Sequence, residues 1–239
     1  MAEPIVLITG AARGIGRYVA GTFADAGYHL VLADVLPLET TAELMRARDT
    51  DPLLLSADVS DEESVRRMIG SALDRFGRID VLVNNAGIAT HGAWEAGWPR
   101  IRDMERPFWN RVMDANLGGT MLCTKHVAPS MEARRSGHII NAYGGGRTET
   151  FGSCVYVTSK EAIRTFTRFV AEEEREFDVF VCAINPGAAI ATEEAPEEVR
   201  ARMPGVELVA NRFVLAAQAG MELSGQTLTL VDGKLTPVP

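Results

Sequence analysis

Runs of apolar residues alternate along the whole chain with segments whose apolar positions recur at helical spacing. The apolar runs are nearly continuous, which is typical of strands that are covered on both faces of a parallel sheet. Seven such runs predict strands at Ile5–Thr9, His29–Asp34, Leu53–Asp58, Asp80–Asn84, His138–Tyr143, Val179–Ile184 and Gln226–Val231.

Helical patterns separate these strands and predict helices at Gly14–Ala26, Ser60–Arg75, Pro107–Ala133, Ser153–Phe177 and Leu208–Ala219. The second of these begins with the capping-box spacing of Ser60 and Glu63. Seven strands joined by helical crossovers predict an α/β fold, with a doubly wound, seven-stranded parallel sheet flanked by helices. Because no repeat or linker interrupts the pattern, residues 1–239 are predicted to form a single domain.

The composition argues against several classes of binding partner. A net charge of −8 argues against broad binding to nucleic acid or to an anionic membrane. Met1–Pro4 lacks the basic start of a signal peptide, and no apolar stretch reaches the ~18 residues that span a bilayer. The 3 widely spaced cysteines form neither a disulfide framework nor a zinc pattern, and the histidines lack metal-ligand spacing. We therefore expect a cytoplasmic protein without a metal.

A glycine-rich loop follows the first predicted strand. Gly10, Gly14 and Gly16 lie between that strand and the first helix, with Arg13 and Ile15 among them. Glycines in this context permit a tight turn and a close approach of the backbone to a phosphate. The first helical N–H groups and the helix dipole then face the negative charge. The loop predicts a dinucleotide diphosphate site, although a turn that needs glycine for structural reasons is the alternative.

Asp34 ends the second predicted strand, 18 residues beyond Gly16. An acid in this place accepts hydrogen bonds from both hydroxyls of an adenosine ribose and repels a 2′-phosphate. Val35 follows it, so no adjacent cation offers to bind that phosphate. The pattern favours NAD over NADP, with Arg13 as a mild counter-signal and a plain surface acid as the alternative.

Two more strand ends carry polar or small residues. Asp58 with Val59 is expected beside the adenine, and Asn85, Ala86 and Gly87 are expected to line the cofactor cleft. Ligands bind at the carboxyl ends of the strands in open α/β sheets, where these residues gather.

Tyr156 and Lys160 stand at positions i and i+4 of a predicted helix and therefore share one face. A phenol with a pKa of about 10 needs a neighbouring ammonium to become acidic enough for proton transfer near neutral pH. Together with a dinucleotide loop, the pair suggests hydride transfer with the phenol as proton donor or acceptor.

The chain resembles the short-chain dehydrogenase/reductase family, because it carries motifs of that family in the same order over nearly its whole length. The matching motifs are Thr9-Gly10-x-x-x-Gly14-Ile15-Gly16, Asp58, Asn84-Asn85-Ala86-Gly87, Asn116-Leu117-x-Gly119, Tyr156-x-x-x-Lys160 and Asn185-Pro186-Gly187. The resemblance implies a Rossmann-type domain, a nicotinamide cofactor, a small-molecule substrate and a homodimer or homotetramer. It further implies catalytic roles for Asn116, Tyr156 and Lys160, the last also holding the nicotinamide ribose, and cofactor contacts from Pro186, Gly187 and Thr192.

The catalytic serine of that family is absent from its usual place after the fifth strand. Alignment by the strand puts Gly144 there, and counting back from Tyr156 puts Tyr143 there. Loss of one hydrogen-bond donor to the reacting oxygen can cost ~10²–10³ in rate. Tyr143, Ser153 and Thr148 are the candidate substitutes, and substitution by none of them is the alternative.

The leading hypothesis is an NAD(H)-dependent oxidoreductase that interconverts a secondary alcohol and a ketone. The alternative is a nicotinamide-binding protein of the same family that is catalytically weak and serves a regulatory or structural role.

Overall fold

The computed structural model describes residues 3–88, 99–144, 154–185, 190, 197–201 and 205–238. Across these residues eight strands form one sheet in the order β3-β2-β1-β4-β5-β6-β7-β8. The strands are β1 (Ile5–Thr9), β2 (His29–Asp34), β3 (Leu53–Ser56), β4 (Val81–Asn84), β5 (Gly137–Ala142), β6 (Val179–Ile184), β7 (Thr227–Val231) and β8 (Lys234–Pro237).

Helices cover both faces of the sheet. They are α1 (Gly14–Asp25), α2 (Glu39–Arg46), α3 (Glu62–Phe76), α4 (Arg106–Met113), α5 (Gly119–Arg134), α6 (Cys154–Glu174), α7 (Glu197–Arg200) and α8 (Glu207–Ala216). The predicted α/β, doubly wound architecture is confirmed, because β1 to β7 pair in parallel and the order reverses between β1 and β4.

The side chains of β1 show how the two layers of the core arise. All five of its residues are buried. Val6 and Ile8 belong to the layer that also contains residues of α1 and α8, whereas Ile5 and Leu7 belong to the layer that contains residues of α3 and α5. Successive side chains of a strand point to opposite faces, so a continuous apolar run serves both layers.

The sheet has one more strand than the seven that the sequence pattern predicted. β8 pairs with β7 in antiparallel fashion through a tight turn at Asp232 and Gly233, whose φ angles are +48° and +75°. Such an Asp-Gly pair is the favoured sequence of a two-residue hairpin turn. The strand is short, lies at the sheet edge and ends at Pro237, so its apolar signal is weak.

Some predicted boundaries were wrong for local reasons. The predicted helix Pro107–Ala133 consists of α4, a π-helical turn at Asp114–Gly118, and α5. The predicted capping box at Ser60 is replaced by Asp61, whose side chain accepts a bond from the N–H of Glu63 and caps α3. The strand β3 ends at Ser56 rather than at Asp58.

Candidate active site

The carboxyl ends of β1, β2, β4 and β5 lie at one edge of the sheet, because these strands are parallel neighbours. The glycine loop follows β1, Asp34 and Asn84 are the last residues of β2 and β4, and Gly144 comes two residues after β5. The parallel topology therefore brings the residues of several separate motifs to the same edge.

Two glycines allow the loop after β1 to pack closely. Gly10 has a φ of +68°, and a Cβ built on it would lie 2.7 Å from Ala86 Cα. A Cβ on Gly16 would lie 2.0 Å from the carbonyl oxygen of Gly10. Any side chain here would push the loop away from α1 and from the chain after β4. Arg13 is the exposed N-cap residue of α1, and Ile15 packs against the core.

Asn85 braces this loop from the neighbouring strand end. Its Nδ2 donates to the carbonyl oxygens of Thr9 and Gly10, at 3.0 Å each. The backbone N–H groups of Asn85 and Ala86 both donate to Thr9 Oγ1 at 3.1 Å. The Asn-Asn-Ala-Gly motif therefore fixes the loop through hydrogen bonds between β1 and β4.

Asp34 is partly buried at the end of β2, and its carboxylate is oriented by two backbone groups. Oδ2 accepts from the N–H of Ala12 and Oδ1 from the N–H of Leu36, both at 2.9 Å. Each carboxylate oxygen can accept more than one bond. The acid is therefore held beside the glycine loop with capacity for further donors.

Asp58 holds a turn before α3 rather than ending a strand. Its Oδ1 accepts from Ser60 N at 2.9 Å and from Ser60 Oγ at 2.6 Å. An aspartate that bonds to the backbone two residues ahead forms an Asx-turn, which mimics a backbone turn. Val59, the next residue, is buried.

Asn116 connects the end of β4 to α6. The fully buried side chain accepts from Ile88 N at 2.7 Å and donates to Ile88 O at 3.2 Å and to Ser159 Oγ at 2.8 Å. Ser159 Oγ donates in turn to the carbonyl oxygen of Tyr156 at 2.7 Å. Asn116 lies in the π-helical turn, and such turns often occur at functional sites.

Tyr156 and Lys160 lie one helical turn apart near the start of α6. Lys160 Nζ donates to the carbonyl oxygen of Ala142, at the end of β5, at 2.9 Å. The same nitrogen lies 5.8 Å from the centroid of the Tyr156 ring. The lysine is thus fixed between the strand end and the phenol.

Burial perturbs both groups of this pair. It raises the pKa of Tyr156 to about 12 and lowers the pKa of Lys160 to about 8. The sequence suggested that the ammonium would lower the pKa of the phenol. In the structure the loss of solvation acts in the opposite direction and prevails. The same low-dielectric surroundings make the charged form of each group, the phenolate and the ammonium, less favourable than in water.

Tyr143 and Gly144 occupy the two positions considered for the missing serine. The Tyr143 hydroxyl donates to Glu161, so that proton is committed to a carboxylate on α6. Burial, followed by the bond to Glu161, raises the pKa of Tyr143 to about 12. A Cβ on Gly144 would lie 2.6 Å from Tyr156 Oη. Gly144 is therefore the position that faces the phenol.

Several predicted site residues lie outside the described residues, namely Ser153, Thr148, Pro186, Gly187 and Thr192. Within the described part of the chain, no group of three or more His, Cys, Asp or Glu side chains could hold a metal ion. No helix in that part is both long and apolar enough to cross a membrane.

The sequence assigned no individual role to three residues that contribute to this edge. Thr9 Oγ1 holds Asn85 and Ala86, Ser159 links Asn116 to Tyr156, and Thr41 contacts the glycine loop. The i, i+3 spacing from Tyr156 could have indicated Ser159. No local pattern could have placed Thr41, because its partners lie 29 and 30 residues away in sequence.

The chain is similar to several characterised proteins over nearly its full length. It is 30% identical to the 3-oxoacyl-(acyl-carrier-protein) reductase of Staphylococcus aureus, with 95% of this chain and 96% of that protein covered. It is 32% identical to the cis-4-hydroxycyclohexanecarboxylate dehydrogenase of Sinomonas cyclohexanicum, with 99% and 98% covered.

A solved structure supports the same assignment. A metagenomic short-chain oxidoreductase in complex with NADP matches with a TM-score of 0.77 and 27% identity, covering 92% of each chain. The family model described as short chain dehydrogenase matches residues 4–202. The resemblance read from the motifs is thereby confirmed, and the chain belongs to the short-chain dehydrogenase/reductase family of oxidoreductases.

Proposed function

We propose that this protein is an NAD(H)-dependent oxidoreductase that interconverts a secondary alcohol and a ketone. The observation that carries the proposal is the Tyr156–Lys160 pair. The bond from Lys160 to Ala142 O holds this pair at the edge of the sheet where the strands have their carboxyl ends. A partly buried phenol beside an anchored amine is suited to exchange a proton with an alcohol or ketone oxygen.

The edge of the sheet fits a dinucleotide. Its loop packs against the chain after β4 with no room for a Cβ at Gly10 or Gly16, and α1 begins at Gly14 with its positive dipole end there, ready for a diphosphate. Asp34 would accept the adenosine ribose hydroxyls, and Lys160 would hold the nicotinamide ribose. The nicotinamide, when bound, supplies the hydride acceptor or donor.

Tyr156 performs the proton step in this proposal. With a pKa of about 12, its phenol is protonated at neutral pH and can donate to a ketone oxygen in reduction. In the oxidative direction it must first lose that proton. An ammonium at Lys160, whose pKa is about 8, is charged at pH 7 and favours the phenolate electrostatically. Asn116 positions the turn of α6 that carries Tyr156 through Ser159.

The preference for NAD rests on Asp34. A carboxylate fixed by Ala12 N and Leu36 N cannot swing away to admit a 2′-phosphate without losing both bonds. The relative solved with NADP makes this the point to test first. Calorimetric titration of the wild-type protein with NAD and with NADP in competition should give a lower Kd for NAD. Equal or tighter binding of NADP would overturn the preference.

The substrate is proposed to be a small molecule with a secondary hydroxyl or an oxo group. The relatives that are named for reducing a 3-oxoacyl group and for dehydrogenating a hydroxycycloalkane acid both support this class. A homodimer or homotetramer is proposed as well, because members of this family are commonly oligomeric. Light scattering would test the subunit number. The cytoplasmic location stays a prediction.

Gly144 is the observation that favours the second candidate, a family member that binds the cofactor but is catalytically weak. A glycine facing the phenol offers no side-chain donor to share the charge on the reacting oxygen.

One experiment separates the two candidates. Binding of NAD is measured first, and turnover is then measured across a panel of ketones and secondary alcohols. We expect turnover in the wild type, a loss of about 10²–10⁴ in Tyr156→Phe, and an unchanged NAD affinity in that variant. Tyr18→Phe, at a partly exposed position on α1, is the matched control and should behave as wild type. Binding without turnover across the panel would favour the weak family member.

A further inference from the structure

Thr41 joins α2 to the glycine loop by hydrogen bonds. Its side chain is fully buried, and Oγ1 lies 3.0 Å from the carbonyl oxygen of Ala11 and 3.1 Å from that of Ala12. Arg17 Nε donates to the same hydroxyl at 3.1 Å, and its Nη2 donates to Ala12 O. A hydroxyl has one proton and two lone pairs, so this geometry shares its proton between two carbonyls while it accepts from the guanidinium.

Other buried threonines on the helices bond differently. Thr120 and Thr167 each donate to the carbonyl four residues earlier in the chain, Asn116 and Ile163 respectively, at 2.8 Å. That local bond is the usual one for a helical threonine. Thr41 instead directs its hydroxyl out of α2 and toward the loop, so its contacts are tertiary rather than local.

The bonds of Thr41 determine how two peptide groups of the loop are oriented. In a trans peptide the C=O and the following N–H point in opposite directions. The carbonyl of Ala11 points to Thr41, and the N–H of Ala12 in the same peptide donates to Asp34. The carbonyl of Ala12 points to Thr41, so the N–H of Arg13, at the start of α1, points away from α2.

We propose that Thr41 is a positioning residue for the cofactor: its hydroxyl orients the glycine loop and Asp34 together for binding of the adenosine diphosphate part of NAD. Ala11 and Ala12 are buried, so their carbonyls cannot turn to solvent for substitute donors. Without the hydroxyl, the carbonyl of Ala11 loses this donor and the carbonyl of Ala12 keeps the one from Arg17 Nη2, so the peptides that carry the Ala12 and Arg13 N–H groups are held less firmly. The inference rests on the proposed use of a nicotinamide dinucleotide.

The test compares Thr41→Val, which removes the hydroxyl at nearly constant volume, with Thr41→Ser, which keeps it. The probe is ADP-ribose, which contains the adenosine and diphosphate but no nicotinamide, and its Kd is measured by calorimetry. We expect Thr41→Val to weaken ADP-ribose and NAD by about tenfold or more, and Thr41→Ser to bind as wild type. At saturating cofactor, kcat of Thr41→Val should stay near that of wild type while KM for NAD rises.

Thr22→Val is the matched control. Thr22 lies on α1, and its hydroxyl bonds to Val19 O of the same helix and, at 3.4 Å, to Ala210 O of α8. It should lose some thermal stability without losing ADP-ribose affinity. If Thr41→Val does not fold, Thr41→Ala replaces it, because alanine has the highest helix propensity and introduces no bulk.

Each outcome decides one question. If ADP-ribose binds a folded hydroxyl-free variant within about twofold of wild type, or if Thr22→Val loses as much affinity, the positioning role is refuted. If the wild type binds neither ADP-ribose nor NAD, the proposed function fails instead.

Discussion

At the scale of single residues, Gly144 determines how much space there is beside the Tyr156 hydroxyl. Because Gly144 has no side chain, the Tyr156 hydroxyl can lie close to its backbone. A Cβ at this position would lie only 2.6 Å from Tyr156 Oη. A serine at this position would supply the absent donor, and it would also force Tyr156 to shift. The two effects can be separated, because alanine reproduces the shift without the hydroxyl.

We therefore predict that Gly144→Ala has lower turnover than wild type, because its methyl group displaces the phenol. Gly144→Ser should be at least about tenfold more active than Gly144→Ala, since its hydroxyl can share the charge on the reacting oxygen. Steady-state kinetics with the best ketone of the panel measure both. Equal activities of the two variants would mean that another group already donates this bond.

Lys160 gives a second prediction at this scale, on the pH dependence of stability. Its pKa is about 8 in the folded chain and about 10.5 in an unfolded one. Between these values the unfolded chain binds more protons, so stability rises as the pH increases from 8 to 10.5. Below pH 8 the buried ammonium carries the full cost.

Lys160→Met removes that charge. We expect the variant to be more stable than wild type by roughly 1–3 kcal/mol at pH 7, with the lost bond to Ala142 O offsetting part of the gain. The advantage should shrink steadily between pH 8 and pH 10.5. Urea unfolding at a series of pH values measures it, and a constant difference across that range would contradict the assigned cause.

At the scale of elements, a line of buried amides and hydroxyls joins β4, β5, α5 and α6. Asn84 Nδ2 donates to Asn141 Oδ1 at 2.9 Å and to Thr124 Oγ1 at 3.2 Å. Asn141 Nδ2 donates to Thr167 Oγ1 at 2.9 Å. The line therefore ties the strand that ends at Ala142 to the helix that carries Tyr156.

Asn141→Ala should destabilise the protein by about 2–4 kcal/mol, because it removes one hydrogen-bond partner from the buried amide of Asn84 and one from the buried hydroxyl of Thr167. The free energy of unfolding in urea is the measurement. The exposed Asn110→Ala on α4 serves as the control and should change stability by less than about 0.5 kcal/mol. A loss from Asn141→Ala as small as that of the control would show that the line contributes little.

The elements that the sequence predicted well are those with strong local signals. The apolar runs of β1, β2 and β6 were placed at their observed residues, because both faces of these strands are buried. The sequence prediction missed α2, which has few apolar positions, and β8, an edge strand. The π-helical turn was missed because a single extra residue does not disturb the apolar spacing enough to be seen.

Predictions for the candidate site divide in the same way, into features with a local sequence signal and features without one. Sequence motifs made Gly10, Asp34, Tyr156 and Lys160 candidates, and the fold brings their backbone positions to one edge. What spacing could not provide is the effect of burial, which raises the pKa of the phenol to about 12. It also could not provide the tertiary bonds of Thr41, which depend on a helix the pattern did not show.

On the scale of the whole molecule, the α6 helix separates the candidate active site from a destabilising acid at its other end. Tyr156 and Glu174 are 18 residues apart on α6, which is about 27 Å along a helix. Glu174 is buried, and its Oε2 has no hydrogen-bond partner within the described chain. Burial, followed by the charges of Glu132 and Glu173, raises the pKa of Glu174 to about 7.

The raised pKa of Glu174 means that the folded chain binds more protons than the unfolded chain between pH 4.5 and pH 7. Stability from this group is therefore present at low pH and is lost as the pH rises through that range. Glu174→Gln should be more stable than wild type by about 1–2 kcal/mol at pH 8 and by almost nothing near pH 4.5. The exposed Glu176→Gln should change stability by less than about 0.5 kcal/mol at either pH. Because the acid lies so far from Tyr156, the kcat of Glu174→Gln should equal that of wild type, and a fall in kcat with unchanged stability would mean that this end of α6 is coupled to the active site.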